Sequence, residues 1–324
     1  DCMPIVPGFV AMPTVLVNTL LSLRHDRSFA VRSKDSLATI SPMYNEEKGA
    51  AQALASLLEQ DSLPDHIVLS INGGIDATYE VVTKTLLGRG FERLSFQALP
   101  QIGAGLEEWR VKGLDLRLTI AVYSRKVSKS ESINNLVEHV VTAERILVMD
   151  GDTILHPRFV RTLRDNFYRL RVQKHGRKKS FVIEDFGLQS GAVTSFAPPK
   201  ASFRQRFISA GREAEYAFSG VIREGQAKLI GKGNLWGNSR LYTVIGCGFT
   251  ARRDMFPMPT DTETEDHDFT LACQAKPTRV SQVSRADLRR NGLRIVVKGR
   301  ELSPEQFFDD HDMVAVRRTG NTSY

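Results

Sequence analysis

Two carboxylates separated by one glycine, Asp150-Gly151-Asp152, close a short apolar run that begins at Arg145. The run reads as a buried strand, and strand ends in open α/β sheets are where ligands bind. Carboxylates crowded at such a place repel one another unless something positive lies between them. A divalent cation held against a diphosphate meets that need, because a hard cation takes oxygen ligands. The plain alternative is a solvated Asp-Gly turn. A second acidic cluster, Asp261, Glu263, Glu265, Asp266 and Asp268, runs into the apolar stretch that starts at Phe269. Acids in the first turn of a helix are favourable in themselves. Four carboxylates between positions 263 and 268 exceed what capping requires, so the cluster is read as chemistry as well as structure.

These side chains need a frame, and the pattern supplies one. Residues 37–41 read as the first sheet strand, 42–47 as a loop and 50–58, rich in alanine and leucine, as a helix. Residues 66–71 form a second apolar strand. Asn72-Gly73-Gly74-Ile75-Asp76 follows as a tight turn, with Asp76 as N-cap of a helix over 77–87. A third strand is expected at 118–123, a helix at 131–142 and a fourth strand at 146–149. Strand and helix alternate, which predicts an α/β domain with a Rossmann-like, mostly parallel central sheet flanked by helices. The stretch 88–115 carries a mixed signal and is left unassigned. Pro157 opens a helix expected to run to about Val172. Residues 176–200 read as strand and loop, and 203–223 as helix.

Composition sets the outer limits. The chain has 324 residues, 41% hydrophobic and 25% charged, within the range of a globular protein with a sizeable core. No apolar run is long enough to span a bilayer. Residues 9–23 are apolar but are interrupted by Pro13 and Asn18 and lack a basic flank. They read as a segment packed on the domain or lying along its surface, with membrane-interface contact as the lesser alternative. Three cysteines, Cys2, Cys247 and Cys273, make neither a disulfide framework nor a zinc spacing, which points to a reducing, cytoplasmic setting. The net charge of +7 favours anionic partners. The densest basic run, Arg169, Arg171, Lys174, Arg177, Lys178 and Lys179, has no interleaved aromatics and reads as a solvated loop.

Four features then fall in order: Pro42-x-Tyr44-Asn45-Glu46 after the first strand; Lys129-x-x-x-x-Asn134 at the third helix; Asp150-Gly151-Asp152; and the 261–270 cluster, preceded by Gly246-Cys247-Gly248. Together they resemble the family 2 glycosyltransferases of GT-A fold. The likeness is nearest to the branch of the chitin, hyaluronan, cellulose and poly-N-acetylglucosamine synthases and covers roughly residues 36–275. Arg212, Glu215 and Tyr216 look like that branch as well. The resemblance implies inverting transfer of a sugar from a UDP-sugar to a hydroxyl acceptor, a glycan, lipid or polysaccharide, with Mn²⁺ or Mg²⁺ bound by Asp150 and Asp152. Pro42, Tyr44, Asn45, Glu46, Asn72, Asp76, Lys129, Asn134 and Asp150 would bind the donor. In that set Tyr44 would stack on the base, and Lys129 would neutralise the diphosphate as a point charge. Asp266 would be the general base with Glu265 beside it. Gly246, Cys247, Gly248 and Trp236 would meet the acceptor; Trp236 is as readily a packing residue.

The sequence also departs from that pattern. Where the family carries an Asp-Asp pair after the second strand, this chain has Ile71 and Asn72, and an asparagine offers a base edge both donor and acceptor. No Gln-x-x-Arg-Trp motif follows the acidic helix. A transferase domain is thus expected over 36–275, with extensions at 1–35 and 276–324. The rival readings are a nucleotidyltransferase, which would show a glycine-rich basic loop after the first strand, and a basic nucleic-acid-binding protein, which leaves two acidic clusters without a purpose.

Overall fold

The computed structural model describes residues 28–175, 178–191, 193, 201–215, 244, 246–262, 264–276, 279–283, 294–297 and 300–307. The expectations for residues 9–23, Tyr216, Trp236 and Glu263 lie outside these. The chain divides into two compact units. One takes in 36–157 and 188–277; the other takes in 26–35, 158–187 and 278–324.

After β1 (Ser28–Arg32), which belongs to the second unit, the first unit opens with β2 (Leu37–Met43) and α1 (Ala50–Leu58). There follow β3 (His66–Ile71), α2 (Thr78–Gly88), β4 (Phe91–Leu99), β5 (Ala104–Val111), β6 (Arg117–Tyr123), α3 (Lys129–His139) and β7 (Arg145–Met149). The second unit contributes α4 (Phe159–Asn166), β8 (Tyr168–His175) and β9 (Lys178–Asp185). The first unit resumes with β10 (Leu188–Ser190), a helix α5 over 203–215, β11 (Gly248–Arg252) and α6 (Glu265–Gln274). The second ends with β12 (Arg279–Val283), β13 (Arg294–Val297) and β14 (Arg300–Leu302).

The first unit is a mixed α/β fold on an eight-stranded sheet of order β10-β11-β7-β2-β3-β6-β5-β4. The parallel part is its middle, β7-β2-β3-β6, and antiparallel pairs flank it on both sides. Strands β2, β3 and β7 are buried at every residue, as parallel strands covered on both faces must be. That is why they read as unbroken apolar runs. Ala38, Ile40, Val68, Ala121, Ile146 and Val148 share one core with Ile133, Leu136 and Val137 of α3 and Phe269 and Cys273 of α6.

The unassigned 88–115 stretch is the β4–β5 hairpin. Its signal is mixed because β4 is an edge strand, exposed from Glu92 to Ala98, and a register shift between Arg93 and Ser95 breaks the alternation. The helix expected from Pro157 to Val172 stops at Asn166. From Tyr168 the chain alternates Tyr168, Leu170 and Val172 with Arg169 and Arg171, a period of two, and enters β8. The described residues of the basic run therefore lie in the antiparallel strands β8 and β9 rather than in a loop, and Arg177 lies outside the described residues. In the second unit the sheet order is β12-β9-β8-β1-β13-β14, all antiparallel, over a core of Val31, Leu170, Phe181, Ile295 and Phe307. Arg32 there bonds Asp165 at 2.6 Å and Glu301 at 2.8 Å.

A polar chain, buried at His66 and Thr119, crosses the sheet of the first unit. His66 Nε2 lies 2.8 Å from Thr119 Oγ1, which donates to Glu108 at 3.1 Å, and Arg117 donates to the same carboxylate at 2.9 Å. With the threonine proton spent on Glu108, its oxygen accepts from a neutral His66 carrying the Nε2 proton. Burial, aided by Arg117, lowers the His66 pKa from 6.5 to about 4. Between those values the unfolded chain binds a proton that the folded chain does not, so stability is full above pH 6.5 and is lost as pH falls toward 4. Between pH 7.5 and pH 5 about 2 kcal/mol of it is lost. Urea denaturation at pH 7.5 and pH 5 measures it, and His66→Gln should flatten the difference between the two.

Candidate active site

The order of the sheet reverses at β2, since β3 and β6 lie on one side and β7 on the other. Such a reversal opens a crevice at the carboxyl ends of the strands. Tyr44 to Glu46 follow β2 there, and Asp150 to Asp152 follow β7. Antiparallel β11 pairs Gly248 with Met149, which brings the residues just before it, Gly246 and Cys247, beside Asp150. Helix α6 docks on β11 through Phe269, whose ring is 5.6 Å from Phe249 and 5.1 Å from Phe256. Thr270 Oγ1 ties it down by donating to Asp266 O and accepting from Val244 N.

Lys129 stands at the centre. It is the first residue of α3, whose cap Ser128 accepts from Glu131 N. Its ammonium is 2.8 Å from Asp150 Oδ1, 3.3 Å from Gly246 O and 3.7 Å from Glu265 Oε1. Burial works to lower its pKa, but Asp150, Asp266 and Glu265 together raise it, so the group stays charged. Asp266 lies in the same field. Burial first, then Glu265 and Asp150, pushes its carboxyl up to about 6 against the opposing pull of Lys129. Its Oδ1 is buried and has no hydrogen-bond partner among the described residues. Its Oδ2 occupies the space a side chain at 246 would need: a Cβ there would stand 1.8 Å away. Burial and Asp150 push the nearby Cys247 thiol up to about 11, so it is protonated and no nucleophile at neutral pH.

The loop after β2 is built by close approach. Asn45 adopts φ 59° and accepts from Ile75 N at 2.9 Å. Thr78 Oγ1 accepts from Glu46 N. A Cβ at Gly49 would sit 2.7 Å from Asp152 Cβ, and one at Gly151 would sit 2.7 Å from Met43 Cγ, so both glycines let the acidic turn nest against this loop. The Glu46 carboxyl is raised by burial and then by Asp152, Asp150 and Asp76. Four carboxylates thus share one field that the protein leaves only partly neutralised. Tyr44 is 39% exposed, with the Lys126 ammonium 4.4 Å from its ring centroid.

Not every expected residue faces this crevice. Asn72 is 2% exposed; its amide accepts from Ser70 Oγ at 2.6 Å and donates to Ser132 Oγ at 3.1 Å. It braces strand against helix and does not present its side chain to a base. Asn134 spends both ends of its amide on the backbone of Met258, at 2.8 and 2.7 Å. Asp76 latches two loops, accepting from Thr78 N, Thr78 Oγ1 and Glu47 N. Pro42 belongs to β2, and Trp236 is outside the described residues. Glu46 as a partner of the acidic pair, Lys126 over Tyr44 and the packing duties of Gly49 and Gly151 were not read from sequence. Only the Gly151 between two acids carried a hint.

Among the described residues no group of three or more His, Cys, Asp or Glu side chains is arranged to hold a metal by itself. Asp150 and Asp152 with the excess negative field at Glu46 still suit a cation that takes the rest of its ligands from phosphate oxygens and water, the usual arrangement for Mg²⁺.

No family model matches the chain, and no curated protein matches it. Among solved structures it is similar to a mannosyltransferase from Pyrobaculum calidifontis in complex with GDP-Man and Mn²⁺, at 17% identity and TM-score 0.47, over 80% of this chain and 59% of that one. It is also similar to TarS 1–349 of S. aureus, at 15% identity and TM-score 0.42, over 77% and 58%. A third is glucosyl-3-phosphoglycerate synthase of M. tuberculosis, at 14% identity and TM-score 0.33, over 69% and 60%. The chain thus spans less than two thirds of the length of each.

Gly246→Ala tests the contact with Asp266. The aspartate can rotate away, so the variant should fold with a thermal transition close to that of the parent. Its carboxyl should then titrate nearer 3.8 than 6 in a carboxyl ¹³C NMR titration. A titration still near 6 would show that the carboxylate does not depend on this gap.

Proposed function

We propose that this chain is a GT-A glycosyltransferase of family 2 type. It would transfer a sugar from a nucleotide-diphosphate donor, a UDP-sugar by the family likeness, to a hydroxyl of a glycan or polysaccharide acceptor, with inversion. The observation that carries the reading is the Asp266 carboxylate: buried, short of a partner at Oδ1, and held by the Lys129 field beside Asp150. A base with a pKa of about 6 is ionised at neutral pH and basic enough to take a proton in the transition state.

Each residue then has a task. Tyr44 offers its exposed ring to the base. Asp150 and Asp152 would hold Mn²⁺ or Mg²⁺ against the diphosphate, where the bound cation supplies charge neutralisation of the leaving group. Lys129 adds a fixed positive charge on the other side of Asp150. The acceptor hydroxyl hydrogen-bonds the Asp266 carboxylate and yields its proton there. Its oxygen forms the new bond to the anomeric carbon from the face opposite the diphosphate, and the electron pair of the breaking bond leaves with the diphosphate. Attack from the opposite face inverts the anomeric centre. Gly246 and Cys247 border the acceptor.

Calorimetry with UDP, GDP, TDP and ADP, each with Mn²⁺ and with EDTA, is the direct test. Binding should require the metal, and Asp152→Ala should weaken it by about ten- to a hundredfold. Affinity indifferent to metal and to Asp152 would remove the donor-site assignment. Donor hydrolysis, with water in place of the acceptor, reads the chemical step. It should rise with pH through about 6, because the deprotonated carboxylate is the active form. Asp266→Asn should bind nucleotide normally, lose that limb and turn over about 10² to 10⁴ times more slowly.

A further inference from the structure

One buried acid of the first unit has no part in the reaction steps above. Glu107, in the middle of β5, is 4% exposed and takes three donors: Tyr79 Oη at 2.9 Å and Arg93 Nη1 at 3.0 Å on Oε1, and Trp109 Nε1 at 3.2 Å on Oε2. Taking a carboxylate out of water is costly, and a buried pair such as Glu107 with Arg93 is seldom more stable than apolar packing of the same size. What it supplies is fixed geometry, because donors from α2, β4 and β5 are brought to one point. Burial first, then the bond to Glu107, raises the Tyr79 pKa, so the phenol keeps its proton and stays the donor.

Tyr79 matters because of where it stands. It is the second residue of α2, and the start of that helix carries the loop after β2. Thr78 Oγ1 accepts from Glu46 N at 2.8 Å, and Asp76 Oδ2 accepts from Glu47 N at 3.0 Å. In return Glu47 Oε2 accepts from Ala77 N at 3.3 Å, and Asn45 Oδ1 accepts from Ile75 N at 2.9 Å. Residues 45–47 are thus tied to residues 75–78. The helix itself is lightly held. Its cap position is Ala77, whose side chain accepts nothing from the first amides. Its buried residues are only Thr78, Val82 and Leu86. Helices in folded proteins owe most of their stability to a packed apolar face, so with so thin a face the bond to a buried carboxylate is a large part of what fixes this end. The line of contact runs from Glu107 to Tyr79, Thr78 and Glu46, and Glu46 lies in the field of Asp150 and Asp152.

We propose that Glu107 is a positioning residue for the nucleotide-sugar donor: through Tyr79 it fixes the first turn of α2, and through that turn it fixes residues 44–47 at the donor side of the crevice. This deepens the transferase reading and rests on it. Glu107 itself touches no reactant; its effect is on the order of the loop that binds one.

Tyr79→Phe removes one hydroxyl and leaves Glu107 its bonds to Arg93 and Trp109, so the variant should fold. Amide exchange read residue by residue by NMR should be about tenfold faster at Glu46 and Glu47 than in the parent, and unchanged in β3. Whichever of UDP, GDP, TDP and ADP binds the parent best with Mn²⁺ should bind the variant about tenfold more weakly. Donor hydrolysis at saturation should keep its rate and its rise through pH 6, because Asp266 is untouched. Glu107→Gln, whose amide nitrogen accepts from none of the three donors, should move exchange and affinity the same way. His66→Gln is the control: a buried change at the amino end of β3, it should leave both readings as in the parent even where it lowers the thermal transition. Unchanged exchange at Glu46 and Glu47 in Tyr79→Phe would overturn the positioning role and leave the transferase reading standing. So would faster exchange with unchanged affinity, since the order of the loop would then not bear on the donor. Failure of the parent to bind any of the four diphosphates with metal would remove the transferase reading, and the positioning role with it, even with the exchange result as expected.

Discussion

The ammonium of Lys129 is the constraint on which the rest of the site depends. It touches Asp150 at the end of β7, the carbonyl of Gly246 ahead of β11 and the Glu265 end of α6. Three elements far apart in sequence meet at one cation. Without it, Asp150, Glu265 and Asp266 would face one another in a half-buried crevice with no counter-charge, and the desolvation that already raises Asp266 would act unopposed. The cation can be there because Ser128 caps α3 and the apolar face of Ile133, Leu136 and Val137 clamps that helix to the sheet. The position of a charge is thus decided by a serine hydroxyl and three aliphatic side chains.

A second constraint is steric. Turns at the carboxyl ends of adjacent parallel strands must nest if their side chains are to converge, and a Cβ in the wrong place forbids it. Gly49, Gly73, Gly151 and Gly246 each sit where a methyl group would come within 3 Å of a neighbouring segment. Gly73 also needs its φ of 68°, in the region glycine enters without penalty. Gly246 differs from the other three because what fills its vacant space is a carboxylate oxygen. The lack of a side chain at 246 is what lets Asp266 lie close to the Lys129–Asp150 pair.

Much of this was legible in the chain, and the failures have physical causes. The central strands were readable because burial on both faces makes them continuously apolar. The capping of α3 is written in Ser128 and Glu131, and the acidic pair after β7 stands out beside an apolar run. The β4–β5 hairpin was not readable, since an exposed edge strand with a register shift has no periodic signature. Helix α4 was overextended because a helix-opening proline says nothing about where the helix ends. For Asn72 and Asn134 the sequence does not say whether the amide faces a ligand or another part of the protein. Only the partners Ser70, Ser132 and Met258 tell the two apart.

The Asp266 carboxyl shows why neighbouring charges have to be weighed together. Burial and crowding by neighbouring acids each raise a carboxyl pKa, and the start of a helix lowers it. In the fold, burial is the largest influence. Lys129 opposes it, and the like charges that matter are Glu265 and Asp150; Asp268 has no part. Asp150 lies outside the acidic cluster in sequence and arrives only because β11 runs antiparallel to β7. The same aspartate holds Lys129, so it raises Asp266 directly while anchoring the cation that lowers it. Neutralising Asp150, as a bound cation at the turn would, removes a charge that raises Asp266 and weakens the hold on Lys129. By this coupling, occupation of the acidic turn would reach the Asp266 carboxyl through one lysine.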